Sequence, residues 1–151
     1  MRVMGVDVGT KRIGVALSDP TGKIASPLTV IEVAEDEAEN VRRVAELARQ
    51  HGAELIVVGL PRTLRGTEEQ AAQAASEFAS RLAEASGLRV VLWDERLTTA
   101  QAERAMLEAG MRRERRRQQV DKVAAAVILQ SYLDAHHGQI DPETPTSQAD
   151  P

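Results

Sequence analysis

The stretch "LIVVGLP", residues 55–61, carries no polar side chain at all. A strand with that composition has no face to offer water, so it must be covered on both sides, as in the buried parallel sheets of α/β proteins. Helical patterns flank it. Before it, Val41, Val44, Ala45 and Ala48 recur at helical spacing within residues 36–51. After it, Thr67 with Gln70 forms a capping-box signature for a helix running to about Ser86. Upstream, residues 2–8 and 12–18 read as strands joined by the short "GTKR" turn, and a third strand near 26–32 follows the turn-rich "DPTGK". "RVVLW" is the fifth strand. Thr98 with Gln101 caps a further helix, and a last helix runs from about Val120 to His137. Gly52, Gly87, Gly110 and Gly138 each stand just past a proposed helix end, where a left-handed cap favours glycine. The order β-β-β-α-β-α-β-α-α predicts an α/β domain. Its mixed five-stranded sheet has three antiparallel and then two parallel strands, with helices on both faces.

Three acids interrupt apolar surroundings. Asp7 lies inside "VMGVDVG", on one strand face with Val3, Gly5 and Gly9, opposite the small residues Gly14, Ala16 and Ser18. A buried carboxylate needs a partner. Asp7 is therefore either a structural aspartate tying down the next turn or a ligand-facing group. Asp94 and Glu95 end the fifth strand, the edge at which open α/β sheets place ligands, although a solvated strand end reads the same way. Asp121 sits at the edge of the stripe Val120, Val123, Ala124, Val127 and Ile128, in what reads as the first turn of the last helix, where acids suit the helix dipole. Taken singly, the latter two have bland explanations. Taken together, carboxylates about 4 Å apart repel by roughly 4 kcal/mol per pair at an effective dielectric of 20. A hard divalent cation removes that penalty, so Mg2+ or Mn2+ fits better than zinc, and two such ions can activate water against a phosphodiester.

Composition narrows the classes. At 151 residues the chain reads as one domain, 1–138, followed by a polar, acidic and proline-rich tail, 139–151, expected to be disordered. With no cysteine, disulfides and thiolate chemistry are excluded, and a reducing cytoplasm suits the chain. No apolar run approaches the roughly 20 residues of a membrane helix, and the N-terminus lacks a signal-peptide layout, so no membrane partner is expected. The net charge of −4 argues weakly against nucleic acid, yet "RRERRR" places Arg112, Arg113, Arg115, Arg116 and Arg117 in one stripe that suits phosphates. The alternative for that stripe is a solvated linker between helices. Phe78, Trp93 and Tyr132 are the only aromatics, too few for a base-stacking platform.

Four blocks, "GVDVGTKRIGVALSD", "IVVGLPRTLRGTEEQ", "VVLWDERLTT" and "VDKVAAAVILQSYL", resemble in order and spacing those of the YqgF/RuvX family, across about residues 2–135. That family is described as Holliday junction resolvases and also as nucleases for the 5′ end of pre-16S ribosomal RNA. The resemblance implies a ribonuclease H-like fold and a metal-binding catalytic set at Asp7, Glu95 and Asp121. It implies nucleic-acid contacts from Lys11 and Arg12, with Arg96 beside Glu95. Where relatives commonly read "GLPLNMDG", this chain has "GLPRTLRG". Thr63 replaces an amide and Arg65 an acid, so Arg62 and Arg65 are candidates for strengthened phosphate binding.

The expected partner is nucleic acid, either pre-rRNA or branched DNA, with the chain a monomer or homodimer. A junction needs two symmetric cuts and hence a two-fold dimer; trimming an RNA end needs one site, and RNA processing is the favoured reading. Two rivals stand beside it. The first block also resembles the phosphate loop of sugar-kinase/actin-type ATPases, but the second domain and second glycine-rich loop those require are missing. A nonenzymatic RNA-binding factor that kept the fold is the other.

Overall fold

The computed structural model describes residues 1–61, 69–95 and 113–136, for 113–122 at the level of the backbone. Three strands form a meander: β1 (Val3–Val8), β2 (Arg12–Ser18) and β3 (Ala25–Glu32). Helix α1 (Glu37–Gln50) leads into β4 (Leu55–Leu60), α2 (Glu69–Ser86) into β5 (Arg89–Asp94), and α3 spans Arg113–Ala135. The sheet order is β3-β2-β1-β4-β5. β1 pairs antiparallel with β2 and parallel with β4, and β4 pairs parallel with β5. The mixed five-stranded sheet predicted from the sequence is therefore present, with β1 and β4 central. All six residues of β4 are buried, as its composition requires.

Local chemistry explains where the elements stop. Asp36 caps α1, its side chain accepting from the Ala38 amide at 3.1 Å. Gly52 and Gly87 follow α1 and α2 with φ of 69° and 70°, a region that costs side-chain-bearing residues more than glycine. Asp19 folds its carboxylate over the β2–β3 turn and accepts from the amides of Lys23 and Ile24, each at 2.8 Å.

Two apolar layers sandwich the sheet. One unites Met4, Val6, Ile56 and Val58 with Val41, Val44 and Ala48 of α1 and Phe78 and Leu82 of α2. The other joins Val3, Ala16, Val57, Val91 and Trp93 to α3 from Ala125 to Leu133. α3 is tied across this face by polar contacts at both sides. Gln130 Oε1 accepts from the Ala25 amide of β3 at 2.8 Å, and Trp93 Nε1 of β5 donates to Ser131 Oγ at 3.1 Å.

The last helix differs from its sequence reading. It begins at Arg113, not near Val120, so Asp121 falls in its third turn and the helix-dipole explanation for that acid lapses. The reason is physical: an apolar stripe marks only the buried part of a helix, whereas Arg, Glu and Gln extend one at little cost. Nor is the buried surface a narrow stripe, because every residue from Ala125 to Leu133 is buried. The helix expected after Thr98, the caps at Gly110 and Gly138, the Thr67 cap and the 139–151 tail lie outside the described residues.

Candidate functional site

Asp7 is the last but one residue of β1 and half-buried, on the same strand face as Val3 and Gly5, which α3 covers. Its register partner on β2 is Gly14, which carries no side chain. The turn after it closes through the backbone, Gly9 N–H donating to the Arg12 carbonyl at 2.9 Å.

On the other side of β1 the register runs Gly5↔Val57 and Val6↔Val58, which sets Gly59 beside Asp7 at the next step. Adjacent strands lie about 4.8 Å apart. Gly59 in turn pairs with Trp93 of β5. Glu95 follows the end of β5, half-buried, and its carboxylate folds back over this row. Its Oε2 lies 3.1 Å from the position a Cβ on Gly59 would take. Asp7 and Glu95 thus stand on one face of the sheet, either side of a residue with no side chain.

The two acids at the end of β5 separate. Asp94 is 3% exposed and pairs in register with Leu60, on the face that α1 and α2 cover. Neither acid is a solvated strand end. Asp121 belongs to α3, four residues before Ala125 and eight before Leu129. Those two residues lie over Gly5: the Ala125 carbonyl oxygen and Leu129 Cβ are 3.0 and 2.7 Å from where a Cβ on Gly5 would be. At 3.6 residues per turn Asp121 lies one turn further along the same helical stripe; its side chain is outside the described residues. Among the described residues no three His, Cys, Asp or Glu side chains group to hold a metal.

The donor set nevertheless fits a hard cation. Both described acids offer carboxylate oxygens, which suit Mg2+ or Mn2+, and the bare backbone of Gly59 leaves a cradle beneath one of them.

Of the proposed phosphate contacts, Lys11 in the β1–β2 turn and Arg12 at the start of β2 are exposed, just beyond the strand that carries Asp7. Arg113, Arg115, Arg116 and Arg117 belong to the first turns of α3, which removes the linker explanation for them. Arg62, Arg65, Arg96 and Arg112 lie outside the described residues. All three aromatics are buried, Phe78 at 0%, Trp93 at 7% and Tyr132 at 6% exposure. None is available to stack a base, in line with the sequence argument. The sequence reading passed over Gly59, Gln130 and Ser131. The two polar residues inside "AVILQSYL" were the available signal, since buried polar groups in an apolar helix find partners.

No helix among the described residues is long and apolar enough to cross a membrane. A family model described as "RuvX: Holliday junction resolvase" matches residues 1–135. A protein of Pelotomaculum thermopropionicum named "Putative pre-16S rRNA nuclease" is 53% identical over 135 residues, 89% of this chain and 88% of that one. A Bacillus cytotoxicus protein of the same name is 47% identical over 136 residues, 89% of this chain and 99% of that one. Among solved structures, RuvC of T. thermophilus in complex with a Holliday junction substrate superposes with a TM-score of 0.62 at 18% identity, over 94% of this chain and 99% of that one. Fowlpox virus resolvase with Holliday junction DNA gives 0.52 at 13%, over 91% and 99%. These two likenesses support the ribonuclease H-like fold. The chain belongs to the RuvX family.

Proposed function

We propose that this RuvX-family chain is a metal-dependent nuclease that hydrolyses phosphodiester bonds in structured RNA, with the 5′ end of pre-16S ribosomal RNA as substrate. Asp7, Glu95 and Asp121 are its catalytic carboxylates. The observation that carries the reading is the position of Glu95, folded over Gly59 on the sheet face that also bears Asp7. The name shared by relatives at 53% and 47% identity points to the RNA.

A bound divalent cation supplies an activated water and stabilises the leaving oxygen. The chain's own part is to hold three carboxylates rigidly, two from strand ends and one from a helix anchored by Gln130 and Ser131. Lys11 and Arg12, with the arginines of α3, supply sequence-independent attraction for the phosphate backbone. We assign this activity to residues 1–138 of a cytoplasmic protein that needs a single site, with 139–151 as an appended tail.

The family description favours a second reading, cleavage of four-way junctions. The two separate in one experiment: a labelled precursor rRNA fragment and a four-way DNA junction are incubated in parallel with Mn2+, using wild type and Asp7→Asn. Cleavage of the RNA by wild type alone, abolished by EDTA, is the expected result. Paired symmetric cuts in the junction with the RNA intact would replace it by the resolvase reading. Tight RNA binding without cleavage of either substrate would mean a nonenzymatic factor.

A further inference from the structure

We propose that Gly59 is a positioning residue of this site, kept free of a side chain so that the Glu95 carboxylate can occupy the space above it. The inference rests on the metal-dependent nuclease reading and extends it to a residue with no functional group.

Gly59 stands in the interior of a fully buried strand, where glycine is a poor choice because it packs nothing and weakens the strand. Its backbone does not require it, for the described glycines with positive φ are Gly22, Gly52 and Gly87. What Gly59 provides is room. A Cβ there would lie 2.6 Å from Ile128 Cδ1, 3.5 Å from Ile128 Cγ1 and 3.1 Å from Glu95 Oε2. The Ile128 contact involves the free end of a side chain, which can rotate away. The Glu95 contact involves the atom proposed to reach the cation. One neighbouring place on this face is taken by Trp93, paired in register with Gly59 and held by Ser131. A methyl group at 59 therefore moves the carboxylate by a few tenths of an ångström. That is a small insult to packing and a large one to metal coordination, whose supporting contacts change affinity by about 10–100-fold when altered.

The two contacts can be separated. Ile128→Val deletes Cδ1, so in that background Gly59→Ala meets Glu95 as its remaining close neighbour. Melting temperature in EDTA and Mn2+ affinity by titration calorimetry are measured for wild type, Ile128→Val and the double variant. Cleavage of the rRNA fragment is followed for the same three proteins. We expect Ile128→Val to bind Mn2+ as wild type does. The double variant should stay folded, bind Mn2+ about 10-fold or more weakly, and lose kcat with KM for RNA unchanged. Unchanged Mn2+ affinity in the folded double variant overturns the inference while leaving the nuclease reading intact. Absence of Mn2+ binding or cleavage in wild type overturns that reading instead. Should the alanine unfold the protein even with valine at 128, Glu95→Ala is added. Recovery of the melting temperature of Ile128→Val/Glu95→Ala then supports the proposal, and a triple variant that stays unfolded refutes it.

Discussion

Replacing Gly5 by alanine probes how closely α3 must lie on the sheet. A Cβ at Gly5 would stand 2.7 Å from Leu129 Cβ and 3.0 Å from the Ala125 carbonyl oxygen. Neither atom can move without moving the helix, because one is backbone and the other is attached directly to it. Carbon atoms settle at about 3.5–4.0 Å, so α3 has to rise by about 0.8 Å or tilt. Overpacking of this kind costs about 1–3 kcal/mol. Alanine also restricts the unfolded chain and returns about 0.4–1 kcal/mol. The net loss is about 1–2 kcal/mol, and at about 2–4 °C per kcal/mol for a domain of this size the melting temperature should drop by about 2–8 °C. Thermal melts in EDTA, checked against urea midpoints with an unchanged m-value, measure it. Because α3 also carries Asp121, Mn2+-dependent cleavage should fall more than stability does. A Gly5→Ala protein that melts at or above the wild-type temperature would refute the claim that the missing side chain sets the helix height.

The other predictions concern charge. Asp7→Asn keeps the side-chain shape at a half-buried position, so the EDTA melting temperature should hold to within about 2 °C while cleavage drops by orders of magnitude and RNA binding persists; a destabilised but active variant would make Asp7 a structural residue. Asp19 is held well below the usual carboxylate range, chiefly by the Thr21 side-chain hydrogen bond and then by the Ile24, Lys23 and Thr21 amides. Its lowered value means the contribution to stability is fully present above about pH 4 and is lost as the pH falls through the folded-state value. Asp19→Ala should accordingly lower the melting temperature at pH 7, with the gap to wild type closing in more acidic buffer; a gap independent of pH would count against that assignment. Replacing Arg115, Arg116 and Arg117 by glutamine should weaken binding to every substrate. It should also flatten the slope of log K against log salt by about 1 for each duplex phosphate that an arginine no longer neutralises, somewhat less on single strands. An unchanged slope would remove these arginines from the interface.

Much of the architecture is legible along the chain, because it follows from local rules. The short strands either side of the "GTKR" turn, the unbroken apolar run of β4 and the glycines after α1 and α2 each reflect interactions within a few residues. The acids themselves stand out because carboxylates in apolar surroundings are expensive. Three matters were decided by tertiary contacts. The start of α3 at Arg113 is invisible to apolar periodicity, since the charged turns that precede the buried segment bear no stripe to detect. That Glu95 and not Asp94 shares a face with Asp7 depends on the parallel register of β4 against both β1 and β5, between residues far apart in sequence. Gly5 and Gly59 look like defects in their strands until α3 and the Glu95 carboxylate are seen in the space they leave. Local sequence dictates which elements form and which residues are costly to bury; only the packing of distant elements determines where an absent side chain is needed.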